Sequence, residues 1–369
     1  MTLRPLLQFY LASGCLFFMS HTGSVAQNDT AAVLDQSVPT EQGLFDSPEI
    51  LRISLSGNLR PLLNNRDAEP KIYPLELSYT KADSSICSIP VEVRTRGHFR
   101  RLRGNCDYPP LMILFPEEGP HRSTIFREQQ KLKLVMPCAE DKYIIQEWLV
   151  YQLYNLLTPS SFRARLVEVT LLDDKRKKPG KPFYGFLLEE EDQMARRNGM
   201  VAVERTLKPQ QTRREDFLTM AVFEYMIGNT DWSVQYQQNI KLIAGDSSSV
   251  AIPVPYDFDH SGIVNAPYAA PAVELQMNSI RQRRFRGYCI QDMQVFDPVV
   301  AKFNLLKKDI YGTYTGCSLL DAKYIKSTIN YLDAFYAVIN DPKSLKIEFS
   351  YPCDLKGTGN VVIKGLKKQ

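Results

Sequence analysis

GNTDWSVQYQQNIKLIAGDSSSVAIPVPYDFDHSG, running from Gly228 to Gly262, gathers acidic and amide side chains around two short apolar runs. Asn239 to Ala244 (NIKLIA) and Val250 to Tyr256 (VAIPVPY) are rich in β-branched residues and flank GDSSS, a cluster of turn formers, so a β-hairpin is expected. The strands of a hairpin lie about 5 Å apart, which brings its outer ends together. Asp231 precedes this hairpin and Asp257 follows it, so Asp231, Asn239, Asp257 and Asp259 are expected to share one cleft. Hard oxygen donors converging in this way suit Mg²⁺ or Mn²⁺, with substrate phosphates completing the shell.

A loop Asp, a following Asn, a hairpin and a second Asp at its far end is the order in which protein kinases set out their catalytic base and metal ligands. GNTDWS…NIKL together with PYDFDHSG resembles the active-site region of atypical kinase-like proteins of the CotH type and, more distantly, the HipA type. It is also similar to an IGNTDWS…VPYDFDxSG signature of bacterial envelope proteins. The resemblance is strong over residues 228–270, moderate from Arg94 to Arg197 and weak elsewhere. It implies an α+β, two-lobed, protein-kinase-like fold with a β-rich N-lobe and a mainly helical C-lobe. It further implies Asp231 as the catalytic Asp, Asn239 and Asp257 as metal ligands, and ATP as substrate. One departure stands out: Asn239 lies eight residues after Asp231, further than in the kinase pattern HRDxxxxN. Either the loop is longer here or Gln235 takes that place.

DFDHSG also matches the opening of an EF-hand loop, but the twelfth position, where a bidentate Glu is needed, is Tyr268. The segment before it contains Pro253 and Pro255 and reads as strand, not as an entering helix. Asp257 and Asp259 are set among Tyr256, Phe258 and Ile263, where an unpaired carboxylate is costly, so a functional acid cluster is favoured over a decorated surface turn.

The 369 residues, 44% hydrophobic and 23% charged, suffice for one large or two smaller domains. A net charge of +4 is too small to argue for nucleic-acid binding, and none is expected. Arg4, the apolar run from Leu6 to Met19 and Ser24-Val25-Ala26 read as a secretory signal, so an exported product, periplasmic or extracellular, is expected. Lipoprotein anchoring through Cys15 is disfavoured because apolar residues follow that cysteine. No later stretch approaches the roughly 18 apolar residues of a membrane span. Cys87, Cys106, Cys138, Cys289, Cys317 and Cys353 remain after the signal, an even number that permits disulfides in an oxidising compartment. Cys106 with Cys138, and a pair among Cys289, Cys317 and Cys353, are preferred.

From Ile50 to Val135, apolar runs alternate with turn residues (LRISLSG, IYPLELSY, SIPVEVRTRG, LMILF, KLKLVM), which is strand texture. VRTRGHFRRLRG crowds five arginines around Gly97 and Gly104; it reads equally as a phosphate-binding turn or as a solvated basic hairpin. In CotH-like proteins a similar turn faces the nucleotide, which makes Arg96 and Gly97 nucleotide-binding candidates. Lys131 and Lys133 share one face of the KLKLV strand, and either could meet the phosphates. The helix expected near 142–157 places Glu147 where a kinase fold sets the acid that pairs with the strand lysine. Arg163 to Asp192 reads as a second hairpin leading into a short helix, and the resemblance implies that Glu189 or Glu190 lies against the base.

Arg214 to Ile227 carries Leu218, Ala221, Val222 and Tyr225 at helical spacing and ends at Gly228-Asn229, so a half-buried helix delivers the chain into Asp231. SIRQRRFRGYC sets Arg281, Arg283, Arg284 and Arg286 together, as an anion site or a solvated face. The boundaries expected are 1–26 signal, 27–43 flexible leader, 44–190 N-lobe, 191–355 C-lobe with the hairpin 228–262, and 356–369 basic tail. The function expected is an exported, ATP- and metal-dependent phosphotransferase acting on an unidentified acceptor. The alternatives are a non-enzymatic envelope protein of the same fold with a structural cation site or a binding surface, and a metal-dependent phosphoester hydrolase or nucleotidyl transferase.

Overall fold

The five apolar runs of the first half form strands β1 (Leu51–Gly57), β2 (Tyr73–Thr80), β3 (Ile86–Thr95), β4 (Leu111–Leu114) and β5 (Lys131–Val135). A short helix, α1 (Leu59–Asn64), follows β1. The computed structural model describes residues 43–351 except 68, 98, 99, 103 and 107. The signal peptide, almost all of the leader and the basic tail expected from the sequence lie outside the described residues, as does Cys353.

Helix α2 (Asp141–Leu157) then leads to β6 (Ala164–Asp173) and β7 (Phe183–Leu188), and these two strands decide the architecture. β7 pairs antiparallel with both β5 and β6, while β6 pairs in parallel with β1, Leu51 opposite Val167. The seven strands therefore close into a barrel in the order β1-β2-β3-β4-β5-β7-β6. This corrects the two-lobed, kinase-like fold expected from the resemblance: among the described residues, a closed mixed barrel with eight α-helices stands in its place. The strands were readable as short apolar runs between turn residues, but closure depends on the register between segments far apart in sequence, which such local patterns do not encode. Inward side chains such as Leu55, Leu77, Val93, Ile113, Leu132, Val169 and Leu187 fill the barrel.

A second core runs from α2 through the rest of the described chain. It includes α3 (Glu191–Arg197), α4 (Arg214–Ile227), α5 (Asp297–Leu305), α6 (Lys307–Thr315), α7 (Ala322–Ile339) and α8 (Pro342–Phe349). Although α2 was expected with the N-lobe strands, its apolar side chains join this second core. The expected hairpin is present as β9 (Ile240–Ala244) and β10 (Ile252–Pro255), paired with Ile252 opposite Ile243 and Pro255 opposite Ile240. β8 (Val201–Ala202) adds a third strand, which leaves β10 at an edge, where Pro253 and Pro255 need no ladder donor.

Cys106 and Cys138 are disulfide-bonded, as preferred from the sequence. Cys289 is disulfide-bonded too, whereas Cys87 and Cys317 are free.

Candidate functional site

Helix α4 is buried along most of its length and stops at Gly228 in the left-handed region (φ 69°). Only glycine fits there, because a Cβ would run into the Tyr331 hydroxyl. The stop delivers Asp231, whose backbone N–H donates to Asn229 Oδ1 at 3.0 Å. Three of the four clustered arginines secure this delivery. Arg283 donates to the Met226 carbonyl (3.0 and 3.1 Å) and to that of Tyr331, Arg281 to the Gly262 carbonyl, and Arg286 to those of Thr230 and Trp232. Arg283 meets the negative end of the α4 dipole, while Arg281 and Arg286 hold loop carbonyls, so these three arginines brace the backbone.

Asn239, at the mouth of the hairpin, donates from Nδ2 to the Asp231 carbonyl at 2.7 Å and to Asp231 Oδ2 at 3.0 Å. Gln238 bonds the other carboxylate oxygen, so Gln238, and not Gln235, is the glutamine beside Asp231. At the far end of the hairpin Asp257 has a φ of 65° and Asn239 one of 51°, both in the left-handed region that Asp and Asn enter at least cost among residues with side chains. Between the two acids, Phe258 is fully buried against Tyr151 (ring centroids 4.8 Å apart) and Phe223 (5.7 Å). Burial of that ring is worth roughly 1.5–3 kcal/mol and anchors the Asp257-Phe258-Asp259 turn.

Glu147, Asp257 and Asp259 each bring a carboxylate oxygen to within 4.8 Å of the others. Glu147 was expected to pair with Lys131 or Lys133. Its partner is instead Arg100, whose Nη2 lies 2.9 Å from Glu147 Oε2 and 2.7 Å from Asp259 Oδ2. Arg100 Nε adds a 3.1 Å bond to Asp259 Oδ2, and the Tyr268 hydroxyl closes the network. Burial, then Asp259 and Asp257, push Glu147 up to about 8 against the pull of Arg100. Burial likewise holds Asp257 and Asp231 above the ordinary aspartate range. Asp259 is displaced the other way, because Arg100 and His260 outweigh its burial. Two neighbouring acids pushed apart in this manner are a recurrent mark of functional sites.

The two strand lysines separate clearly. Lys131 is half exposed and paired with Glu190 at 2.9 Å. Lys133 is buried, with Nζ 5.3 Å from the Tyr256 ring centroid and 5.9 Å from that of Phe162, and burial followed by Arg96 lowers it to about 8. Arg96 acts electrostatically on both Lys133 and Asp257, and Gly97 (φ 80°) turns the chain beside it. Glu189 is not part of this group. It is clamped by Arg197 (2.9 and 3.0 Å) and the Arg163 N–H (2.9 Å). Two cavities of about 750 and 540 Å³ lie elsewhere; Glu189 lines the smaller one, and the acid triad lines neither.

The structure thus brings Asp231, Asn239, Asp257, Asp259 and Glu147 together, with Lys133 and Arg96 at the margin. Arg100, Tyr268 and Arg286 figured in the sequence only as one of five arginines in a basic turn, as the position that fails the EF-hand pattern and as one of a second arginine cluster; neither they nor Tyr151 were expected at this site. An all-oxygen donor set of this kind fits a hard divalent cation, with Glu147, Asp257 and Asp259 as the residues to hold it. Among the described residues no helix is long and apolar enough to cross a membrane. A scan against protein-family models finds no match for this chain, and a search of the curated proteins finds none either.

Proposed function

We propose that this protein is an exported, divalent-cation-dependent phosphotransferase that draws on ATP with Mg²⁺ or Mn²⁺. The observation that carries the reading is the oxygen triad of Glu147, Asp257 and Asp259 beside an Asp231 held by two amides. Bound there, the cation would supply neutralisation of phosphate charge, the main demand of phosphoryl transfer. Asp231 orients the acceptor hydroxyl and takes its proton; its raised affinity for protons suits that task. Gln238 and Asn239 fix its carboxylate, and Asn239 spends only its amide nitrogen on that, leaving the amide oxygen for a cation. Arg96, which acts electrostatically on Asp257, and Lys133, packed over the neighbouring Tyr256 ring, are the positive charges offered to phosphate oxygens. The likeness of residues 228–270 to CotH-type proteins supports ATP as the donor. The signal-like first 26 residues support export, and the Cys106–Cys138 bond is compatible with it.

One observation favours a second reading, a non-enzymatic envelope protein that keeps the cluster as a structural charge network: Arg100 already satisfies two of the three carboxylates. A thermal-shift titration with ATP and Mn²⁺, run beside Asp257→Asn, separates the two, since a ligand that binds only the native state must raise its melting point. A metal-dependent shift lost in the variant supports the enzyme; no shift with any nucleotide supports the second reading. Radiolabelled γ-phosphate then tells transfer to an acceptor from release as free phosphate, and α-labelled nucleotide tests nucleotidyl transfer.

A further inference from the structure

We propose that Arg100 is an autoinhibitory latch: its guanidinium occupies the Glu147–Asp259 side of the acid triad, and a divalent cation binds there only when Arg100 swings out. The inference deepens the metal-dependent reading of the same site and rests on it. Arg100 Nη2 stands 2.9 Å from Glu147 Oε2 and 2.7 Å from Asp259 Oδ2. A cation drawing on all three carboxylates would sit within a few ångströms of that guanidinium and would repel it strongly. Arg100 is 7% exposed, Glu147 1% and Asp259 5%, so the guanidinium and the two carboxylates it bridges are buried together. Tyr268, from the segment after the hairpin, covers the guanidinium, with its ring centroid 6.0 Å away.

Arg100 sits in the connection between β3 and β4, not on a strand or helix. Side chains tie this connection down. The Cys106–Cys138 disulfide links it to the lead-in of α2, the helix that carries Glu147. Arg66 donates to the carbonyls of Arg101 (3.0 Å), Arg100 (3.4 Å) and Cys106 (3.4 Å). Gly97 and Gly104 bracket Arg100 at φ of 80° and 88°, and a Cβ at Gly104 would meet open space. With the backbone of the connection held in this way, the swing of Arg100 is a change of its own side-chain rotamer, which leaves the barrel undisturbed.

The test is Mn²⁺ binding, followed by electron paramagnetic resonance at neutral pH, to the unchanged protein, Arg100→Gln and Asp257→Asn, each with its melting temperature. The latch predicts that Arg100→Gln binds Mn²⁺ at least about tenfold more tightly than the unchanged protein, a conservative figure for removing a unit charge a few ångströms away. Asp257→Asn should lose binding. A second measurement needs no variant: the rate at which phenylglyoxal modifies Arg100, read by mass spectrometry, should rise severalfold when Mn²⁺ saturates the protein. Folded Arg100→Gln that binds Mn²⁺ no more tightly, or an Arg100 equally protected with and without saturating Mn²⁺, overturns the latch and leaves the metal reading standing. Absence of Mn²⁺ binding by both the unchanged protein and Arg100→Gln overturns the metal reading itself.

Discussion

The Asp257 backbone N–H donates a 2.9 Å hydrogen bond to the hydroxyl of Tyr151. Tyr151 lies four residues after Glu147 on α2, so one face of one helix supplies both a carboxylate of the triad and the acceptor that holds a second triad member in place. Tyr151→Phe deletes only the acceptor and should cost about 1 kcal/mol of unfolding free energy, the net value of such a bond. Denaturant unfolding gives that number. Mn²⁺ binding by the same variant should weaken as well, although no proposed ligand is altered.

Asp257 combines the carboxylate of a proposed metal ligand with a left-handed backbone, and two substitutions take these apart. Asp257→Ala puts a Cβ without a polar group into a conformation that costs roughly 1 kcal/mol for an ordinary L-residue, whereas Asp257→Gly adopts it freely. The glycine variant should therefore melt above the alanine variant. Both should lose the Mn²⁺-dependent thermal shift. Equal melting points would mean that the loop relaxes around position 257 instead of imposing its φ.

Lys133 carries a desolvation penalty that depends on pH. Its folded-state value is lowered to about 8, so at neutral pH both folded and unfolded chains are protonated and the penalty is fully present. Between about 8 and the ordinary lysine range the unfolded chain binds more protons, and this contribution makes the protein more stable as pH rises. Lys133→Met removes the penalty and should stabilise the fold at neutral pH by on the order of 2 kcal/mol. It should also flatten the alkaline rise, which urea titrations at pH 7.5 and pH 10 will compare. Under the phosphotransferase reading the same variant loses most of the ATP-dependent thermal shift.

Local pattern carried much of this architecture. The alternation in LRISLSG or KLKLV predicts β1 and β5 because a half-buried strand has period two, and REDFLTMAVFEYMI predicts α4 because a helix has period 3.6. The meeting of Asp231, Asn239 and Asp257 followed from hairpin geometry alone. Contacts that join distant segments did not follow. Nothing in VRTRGHFRRLRG distinguishes Arg100 from its neighbours, because its burial is produced by Glu147, Asp259 and Tyr268 arriving from three other parts of the chain. Lys131 and Lys133 are equivalent by alternation and differ only in what covers them, Glu190 for one and the rings of Tyr256 and Phe162 for the other. Three of the four arginines of SIRQRRFRGYC, a segment of anion-site composition, are instead partnered by backbone carbonyls, which leave no trace in residue identity.

The parallel pairing of β1 with β6 also sets an order of events for a newly made chain. Leu51 emerges early and waits for Val167, so β1 is without one of its two neighbours until the whole of α2 and β6 has been produced. An unpaired strand edge is a template for pairing with other chains, and contacts this distant in sequence form slowly. Until the ring closes, the β6-facing edge of β1 is therefore open to pairing with other chains.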